Sequence, residues 1–274
     1  MRTFVITGGT DGMGRGLGLH YLGRGDRVIA VGSSQAKGDL FLAAAAGIGA
    51  AERASFVRAD LSTVGGMREL VDRMPDVIDV LVLAAQRFQN KRVETEDGLE
   101  SSFALGYLSR YVLGHDLFDR LERAETPLVL NIAAPGSPGK MRFDDLQQRE
   151  GHSSMRAATQ TARRNDLLSV SFPQVHPDAR TRYVLYGPGF VATGMGDSMK
   201  QPVRAVYKVM TRLFAAPVAK AIAPMIELID NPPVAALTVL NRGKPMPVAG
   251  PAFDPTNAER LHKVTADLVA SISR

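Results

Sequence analysis

The chain of 274 residues has no cysteine and no tryptophan, and aromatic residues make up only 6% of it. Without cysteine there is no disulfide, no thiolate nucleophile and no zinc–thiolate centre. The histidines, His20, His115, His152, His176 and His262, show no ligand spacing, and no metal is expected. Long apolar runs are missing too, since none approaches the roughly 20 residues that span a bilayer. The first apolar segment begins at Thr3, which leaves no room for a charged and then apolar leader. A cytoplasmic protein with no membrane partner is the expectation. The excess of one charge over the other is modest: 33 Lys and Arg against 28 Asp and Glu give a net +5. That excess suits a small anionic ligand and gives no reason to expect nucleic acid. The basic pair Arg163-Arg164 reads as a solvated or subunit-contacting helix face.

What the chain does have is 45% hydrophobic residues in alternating strand and helix patterns. Strands are predicted at Thr3–Thr7, Val28–Val31, Ser55–Arg58, Val80–Ala84, Leu128–Ile132, Arg182–Tyr186 and Ala236–Leu240. Helices fit between them at Gly14–Arg24, Gly38–Ala46, Thr63–Met74, Gly98–Glu122, Ser153–Phe172, Val203–Asp230 with a break near Pro217, and Thr256–Ile272. Such alternation is the signature of a parallel sheet covered on both faces. The expected fold is a single α/β domain over 1–274, a Rossmann-type seven-stranded parallel sheet with helices on both faces.

Ligands of such sheets sit beyond the carboxyl ends of the strands. The first strand runs straight into Gly8-Gly9-Thr10-Asp11-Gly12-Met13-Gly14, and Leu17, Leu19, Tyr21 and Leu22 follow in a helical pattern. This order of strand, glycine turn and helix holds a dinucleotide pyrophosphate. Glycine lets the backbone take positive φ and approach the phosphates, and the helix points its free N–H groups at the anion. The spacing is Gly-x-x-x-Gly-x-Gly rather than the commoner Gly-x-Gly-x-x-Gly.

A sheet that binds NAD usually carries a carboxylate at the end of its second strand, on the adenosine ribose hydroxyls. Here that place reads Gly32-Ser33-Ser34, with Lys37 just beyond. Two hydroxyls and an ammonium, with Arg15 as a further partner, suit a 2′-phosphate, so NADP is expected in preference to NAD.

Further segments stand in order along the chain: Asp60-Leu61 after the third strand, Pro188-Gly189-Phe190-Val191-Ala192-Thr193 after the sixth, and Asp254-Pro255-Thr256-Asn257-Ala258-Glu259-Arg260-Leu261 opening the last helix. Together with Thr7-Gly8-Gly9-Thr10-Asp11-Gly12-Met13-Gly14 they resemble the short-chain dehydrogenase/reductase superfamily, especially its retinol-dehydrogenase-like branch. The resemblance covers essentially the whole chain. It implies that Gly8, Thr10, Asp11, Gly12, Met13 and Gly14 hold the dinucleotide, that Asp60 and Leu61 lie beside the adenine, and that Pro188, Gly189, Val191 and Thr193 lie against the nicotinamide carboxamide. Ala84 and Ala85, in place of the family's Asn-Ala-Gly turn, are placed with the cofactor as well. It also implies a homodimer or homotetramer built on two central helices.

The catalytic pattern departs from that family. Its members use an Asn, a Ser, and a Tyr and Lys with three residues between them on one helix; Tyr moves the proton, Ser polarises the carbonyl, Lys lowers the Tyr pKa and Asn orders a water. Alignment puts Gly106 at the Asn, Ala134 at the Ser, and Ala158 and Ala162 at the Tyr and Lys. No tyrosine lies between Tyr111 and Tyr183 and no lysine between Lys140 and Lys200, so no shift of register restores the pair. The replacement is left open. Tyr186, Ser137, Tyr107 and His152 are candidates, with Gln86, Gln89, Asn90 and Arg163 also placed near the nicotinamide end. Each has an ordinary reading as a core, turn or helix-face residue.

Between Met195 and Phe214, apolar residues recur near helical spacing with Lys and Arg between them, which reads as an amphipathic lid over 193–230 or as a core helix. A lid implies a hydrophobic small-molecule substrate. The expected function is an NADP(H)-dependent oxidoreductase-type enzyme with an atypical proton source. The alternatives are a non-redox cyclase, dehydratase or isomerase, and a nucleotide-sensing protein without turnover.

Overall fold

The computed structural model describes residues 1–89, 91–189 and 217–272. Strands β1 (Thr3–Thr7), β2 (Arg27–Gly32), β3 (Ala54–Arg58), β4 (Val80–Leu83), β5 (Leu128–Ile132), β6 (Arg182–Gly187), β7 (Leu237–Asn241) and β8 (Lys244–Pro245) form one sheet in the order β3-β2-β1-β4-β5-β6-β7-β8. The first seven run parallel, within a residue or two of expectation. The eighth corrects the expected count of seven: it is a two-residue antiparallel partner of β7. Arg242 and Gly243 both take positive φ, 52° and 74°, the geometry of a tight two-residue hairpin.

Alternate residues of the central strands feed two cores. Phe4, Ile6, Val82, Leu130 and Tyr186 pack beneath α1 (Gly12–Gly23), α2 (Gln35–Gly47) and, near the chain's end, a helix over Val218–Asp230. Val5, Leu81, Leu83, Val129 and Leu185 pack on the opposite face against α3 (Val64–Asp72) and the helices that follow β4 and β5. Each such fully buried aliphatic side chain contributes roughly 1.5–3 kcal/mol. Strand order reverses between β1 and β4, which opens a crevice at their carboxyl ends.

The helix expected over Gly98–Glu122 is instead α4 (Ser101–Phe103), a π-helical turn over Ala104–Leu108, α5 (Ser109–Asp116) and α6 (Phe118–Glu122). Helix α7 (Ser154–Val175) starts at Ser153, whose hydroxyl accepts from Arg156 N. Among the described residues the remaining α-helices are α8 (Val218–Asp230) and α9 (Pro255–Ile272). Helix α9 lies along α7 and meets the π turn and α5 through Tyr107–Thr265 and Tyr111–His262 hydrogen bonds. The side of α5 and α7 that it covers is therefore used inside the chain.

Two expectations are corrected here. Arg163 and Arg164 are not a solvated face, because both are buried, Arg164 completely. Nor is the second half of the 193–230 segment a lid: Ile222, Met225 and Ile229 of α8 are buried in the α1 core, and Asp230 pairs with Arg2 at 2.9 Å. The first half, 193–216, lies outside the described residues. Among those described, no helix is long and apolar enough to cross a membrane.

Candidate functional site

The turn after β1 closes on its own backbone. Gly8 and Gly12 take positive φ, 67° and 50°, and a Cβ on Gly14 would stand 2.4 Å from the Gly8 carbonyl oxygen. Only glycine lets α1 approach so near. Asp11 caps α1, its carboxylate accepting from Gly12 N at 2.7 Å. Thr10 lies against the end of β2, where a Cβ on Gly32 would meet its hydroxyl at 2.9 Å, and Met13 packs at the edge of the α1 core. This is a cradle that a Cβ would fill, floored by backbone N–H groups at a helix start, and it fits a dinucleotide pyrophosphate.

Beyond β2, Ser33 is exposed and Ser34 caps α2, accepting from Lys37 N at 3.4 Å. The Lys37 ammonium pairs with the Asp11 carboxylate, which brings the ends of β1 and β2 together. Arg15 is half-buried on α1. Asp60 turns back on its own loop, accepting from Ser62 N at 2.9 Å and its hydroxyl at 2.7 Å, and Leu61 is buried. After β4, the Thr7 hydroxyl accepts from Ala84 N and Ala85 N at 3.1 and 3.2 Å. A Cβ on Gly8 would meet that Ala84–Ala85 peptide at 3.0 Å.

Of the four positions where catalysis was expected, Ala158 and Ala162 stand on α7, Gly106 is brought against Thr161 of that helix, and Ala134 follows β5. Gly106 sits in the π turn; a Cβ there would stand 2.8 Å from the Thr161 methyl and 2.8 Å from the Gln86 amide oxygen. The Gln86 carboxamide thus fills the space that Gly106 leaves. Ala158 and Ala134 are exposed and Ala162 is buried.

Tyr107 and Tyr186 are taken up by the two cores, whereas Ser137 is bonded to Ala134 and Arg163 follows Ala162. Tyr107 is buried against α9, its hydroxyl 2.8 Å from Thr265 Oγ1, and burial pushes its pKa up. Tyr186 is a buried residue of the α1 core, its pKa likewise raised by burial. Ser137 donates to the Ala134 carbonyl at 2.7 Å, closing a turn. His152 stands 3.9 Å from the buried Glu100 carboxylate. Arg163 donates to the Gly139 carbonyl at 2.8 Å and pairs with Asp166 at 3.3 Å. Gln89 is half-buried; Asn90, Phe190, Val191 and Thr193 lie outside the described residues. Pro188 is half-buried and Gly189 has φ 74°, with its missing Cβ pointing 2.8 Å from Arg242 Nε.

A polar layer beneath these positions escaped the sequence reading. Arg110, on α5, is buried and donates to Asn131 Oδ1 at 2.6 Å, the Ile132 carbonyl at 2.8 Å and the Ala85 carbonyl at 3.3 Å. Asn165 of α7 donates to the Gly106 carbonyl at 2.9 Å, and Asn131 donates to Tyr183 at 2.8 Å. Burial lowers the Arg110 pKa to about 10, which leaves it charged at neutral pH. Asp166 lies one turn beyond Ala162 and accepts from Gly136 N at 3.2 Å; burial raises its pKa to about 7, against the pull of Gly136 N and Arg163. The signal for this layer was a polar interruption of each apolar run, Asn131 in Val129–Ile132 and Ser109-Arg110 in Tyr107–Leu113.

No family model matches the chain. Comparison with curated proteins finds a Streptomyces sp. (strain C5) protein named "putative daunorubicin C-13 ketoreductase", 28% identical over 100% of this chain and 94% of the relative. A polyprenol dehydrogenase of Danio rerio is 30% identical over 76% of this chain and 68% of the relative. Among solved structures, a short-chain dehydrogenase from Sphingobium yanoikuyae in complex with NADPH superposes with a TM-score of 0.66 at 17% identity, over 98% of this chain and 95% of that one. A short-chain dehydrogenase/reductase from Caenorhabditis elegans with cofactor gives 0.70 at 18%, over 88% and 94%. With the strand order, the closed glycine turn and these relatives in agreement, the chain belongs to the short-chain dehydrogenase/reductase family.

Proposed function

We propose that this protein is an oxidoreductase-type enzyme that binds NADP(H) and acts on a hydrophobic small molecule, with a proton source other than the family's tyrosine–lysine pair. The turn from Gly8 to Gly14 carries the reading, because its glycines let the backbone close where any Cβ would collide. When bound, the nicotinamide supplies or accepts a hydride. The chain's own part is to bind and orient. Backbone N–H groups at the start of α1 hold the pyrophosphate, and Ser33, Ser34 and Lys37 favour a 2′-phosphate that a carboxylate would repel. Gln86 offers a carboxamide beside Gly106, able to hydrogen-bond a substrate oxygen or a water. The relatives' names, which specify daunorubicin and polyprenol, support a largely apolar substrate.

A second reading is a non-redox enzyme, a cyclase, dehydratase or isomerase, in which the cleft acts by holding an intermediate in place. The observation in its favour is that alanines stand at 134, 158 and 162, while Tyr21, Tyr107, Tyr111 and Tyr183 are engaged with partners elsewhere. Fluorescence titration with NADPH and NADH separates the possibilities at the first step. Binding of NADPH in preference to NADH is expected, and binding of neither overturns the proposal. Incubation with hydrophobic carbonyl compounds then decides the class: product coupled to NADPH oxidation supports an oxidoreductase. Product of unchanged mass with unchanged nucleotide selects the second reading, and nucleotide binding without any product points to a sensor.

A further inference from the structure

Arg110 is a cation in a place where water does not reach, and its acceptors are all neutral. It is 3% exposed, and among the described residues no carboxylate lies within ion-pair distance of it. Its guanidinium spreads over Asn131 Oδ1, the Ile132 carbonyl, Asn165 Oδ1 at 3.4 Å and the Ala85 carbonyl, and its Nε has no partner. A buried charge without a counter-charge is costly to desolvate and is held only by such polarised acceptors. Where these acceptors lie is informative. Ala85 follows β4, Ile132 ends β5, and Asn165 is on α7, so one planar group ties three elements together, and two of them reach Gly106, through Gln86 after β4 and Asn165 of α7.

The link continues into the glycine turn. The peptide at Ala85 is held on both sides, its N–H by the Thr7 hydroxyl at 3.2 Å and its C=O by Arg110 at 3.3 Å. The Ala84–Ala85 peptide also presses on Gly8, with 3.0 Å to a Cβ placed there. Asn165, receiving Arg110 on one side, donates to the Gly106 and Thr161 carbonyls at 2.9 and 2.8 Å and so closes the π turn onto α7. In a doubly wound sheet the dinucleotide crosses the switch point with one half over β2–β3 and the other over β4–β5. Arg110 itself bonds only groups of the second half, and the Ala85 N–H that faces the glycine turn is held separately, by the Thr7 hydroxyl.

We propose that Arg110 is a positioning residue that sets the nicotinamide half of the cleft, acting through Ala85, Ile132 and Asn165, while the adenosine half is built without it. This rests on the nucleotide-binding reading above. The test measures the affinity of the whole protein for NADPH and for 2′-phospho-ADP-ribose, which lacks only the nicotinamide. Arg110→Met is expected to weaken NADPH about tenfold and leave 2′-phospho-ADP-ribose within about twofold. Arg110→Lys keeps the charge but loses the planar fork, and is expected to show the same selective loss in smaller measure. Equal losses for both ligands, or no loss in a folded variant, overturn the inference, as does failure of both variants to fold, which would make Arg110 a core residue only. If the native protein binds neither ligand, it is the nucleotide-binding reading that fails.

Discussion

The turn at the end of β1 and the cleft around Gly106 lie on either side of the same switch point, and they are built of different materials. The turn works through backbone, with positive φ at Gly8 and Gly12 and N–H groups at a helix start. The cleft would have to work through side chains, and three of its four expected positions are alanines. Polar groups are not absent there but sit one layer deeper, on Arg110, Asn131, Asn165 and Asp166, all buried. Holding a dinucleotide and passing a proton are therefore separable properties of one fold, since a backbone site does not depend on the side chains that chemistry requires.

Gly14→Ala is the strongest way to break the backbone side of that contrast. Its Cβ would stand 2.4 Å from the Gly8 carbonyl oxygen, with no flexible side chain to move aside. A distortion of about 3 kcal/mol, and so roughly 100-fold weaker NADPH binding by titration, is expected. Near-native affinity would show that the turn is not the phosphate site.

On the cleft side, Asp166 gives a pH signature. Burial raises its folded pKa to about 7 from 3.8. Between those values the unfolded chain has released a proton that the folded chain still holds, so the carboxyl makes stability fall as pH rises from about 4 to about 7. The histidines act with the opposite sign. Burial, then the neighbouring His176 and His262, lower His115 to about 3, so its contribution is present above the unfolded value of 6.5 and is lost as pH falls towards 3. Comparing Asp166→Asn with the native chain isolates the first effect. The variant should gain Tm relative to native across that window, by a few kcal/mol of stability at most, and a constant difference from pH 4 to pH 8 would mean Asp166 ionises in the fold without cost.

Lys37→Ala sharpens the reading of the second strand's end. NADPH should bind about tenfold more weakly while NADH is unaffected, because only the 2′-phosphate loses a partner. Equal effects on both nucleotides would assign Lys37 to holding Asp11 and not to the phosphate. The smallest change is expected for Tyr107→Phe, which loses one buried hydrogen bond to Thr265, about 1 kcal/mol in a denaturation curve, with cofactor affinity unchanged. A fall in turnover without a fall in stability would return Tyr107 to the site.

Much of the fold was legible. The central strands are buried on both faces and read as continuous apolar runs, so β1 and β5 match their predicted bounds to the residue. β8 was not legible, because two residues in a hairpin have no period to detect. The π turn at Ala104–Leu108 was hidden for a different reason: its sequence is ordinary helix, and Asn165 of α7, far along the chain, takes the Gly106 carbonyl. Arg163 and Arg164 misled in the same way, since a basic pair looks solvated until the loop over 139–146 supplies carbonyls to bury it.

By itself the sequence determined the alternation of strands and helices, the glycine turn and the absence of any tyrosine between Tyr111 and Tyr183 and of any lysine between Lys140 and Lys200, all of which are local or are simple presence and absence. Tertiary structure alone decided that Tyr107 faces α9, that Tyr186 belongs to the opposite core, and that Gln86 fills the space beside Gly106. It alone brought Arg110, Asn131 and Asn165 together from three elements. The reason is that a backbone cradle is specified by residues adjacent in the chain, whereas a buried hydrogen-bond network is satisfied only by partners that folding delivers.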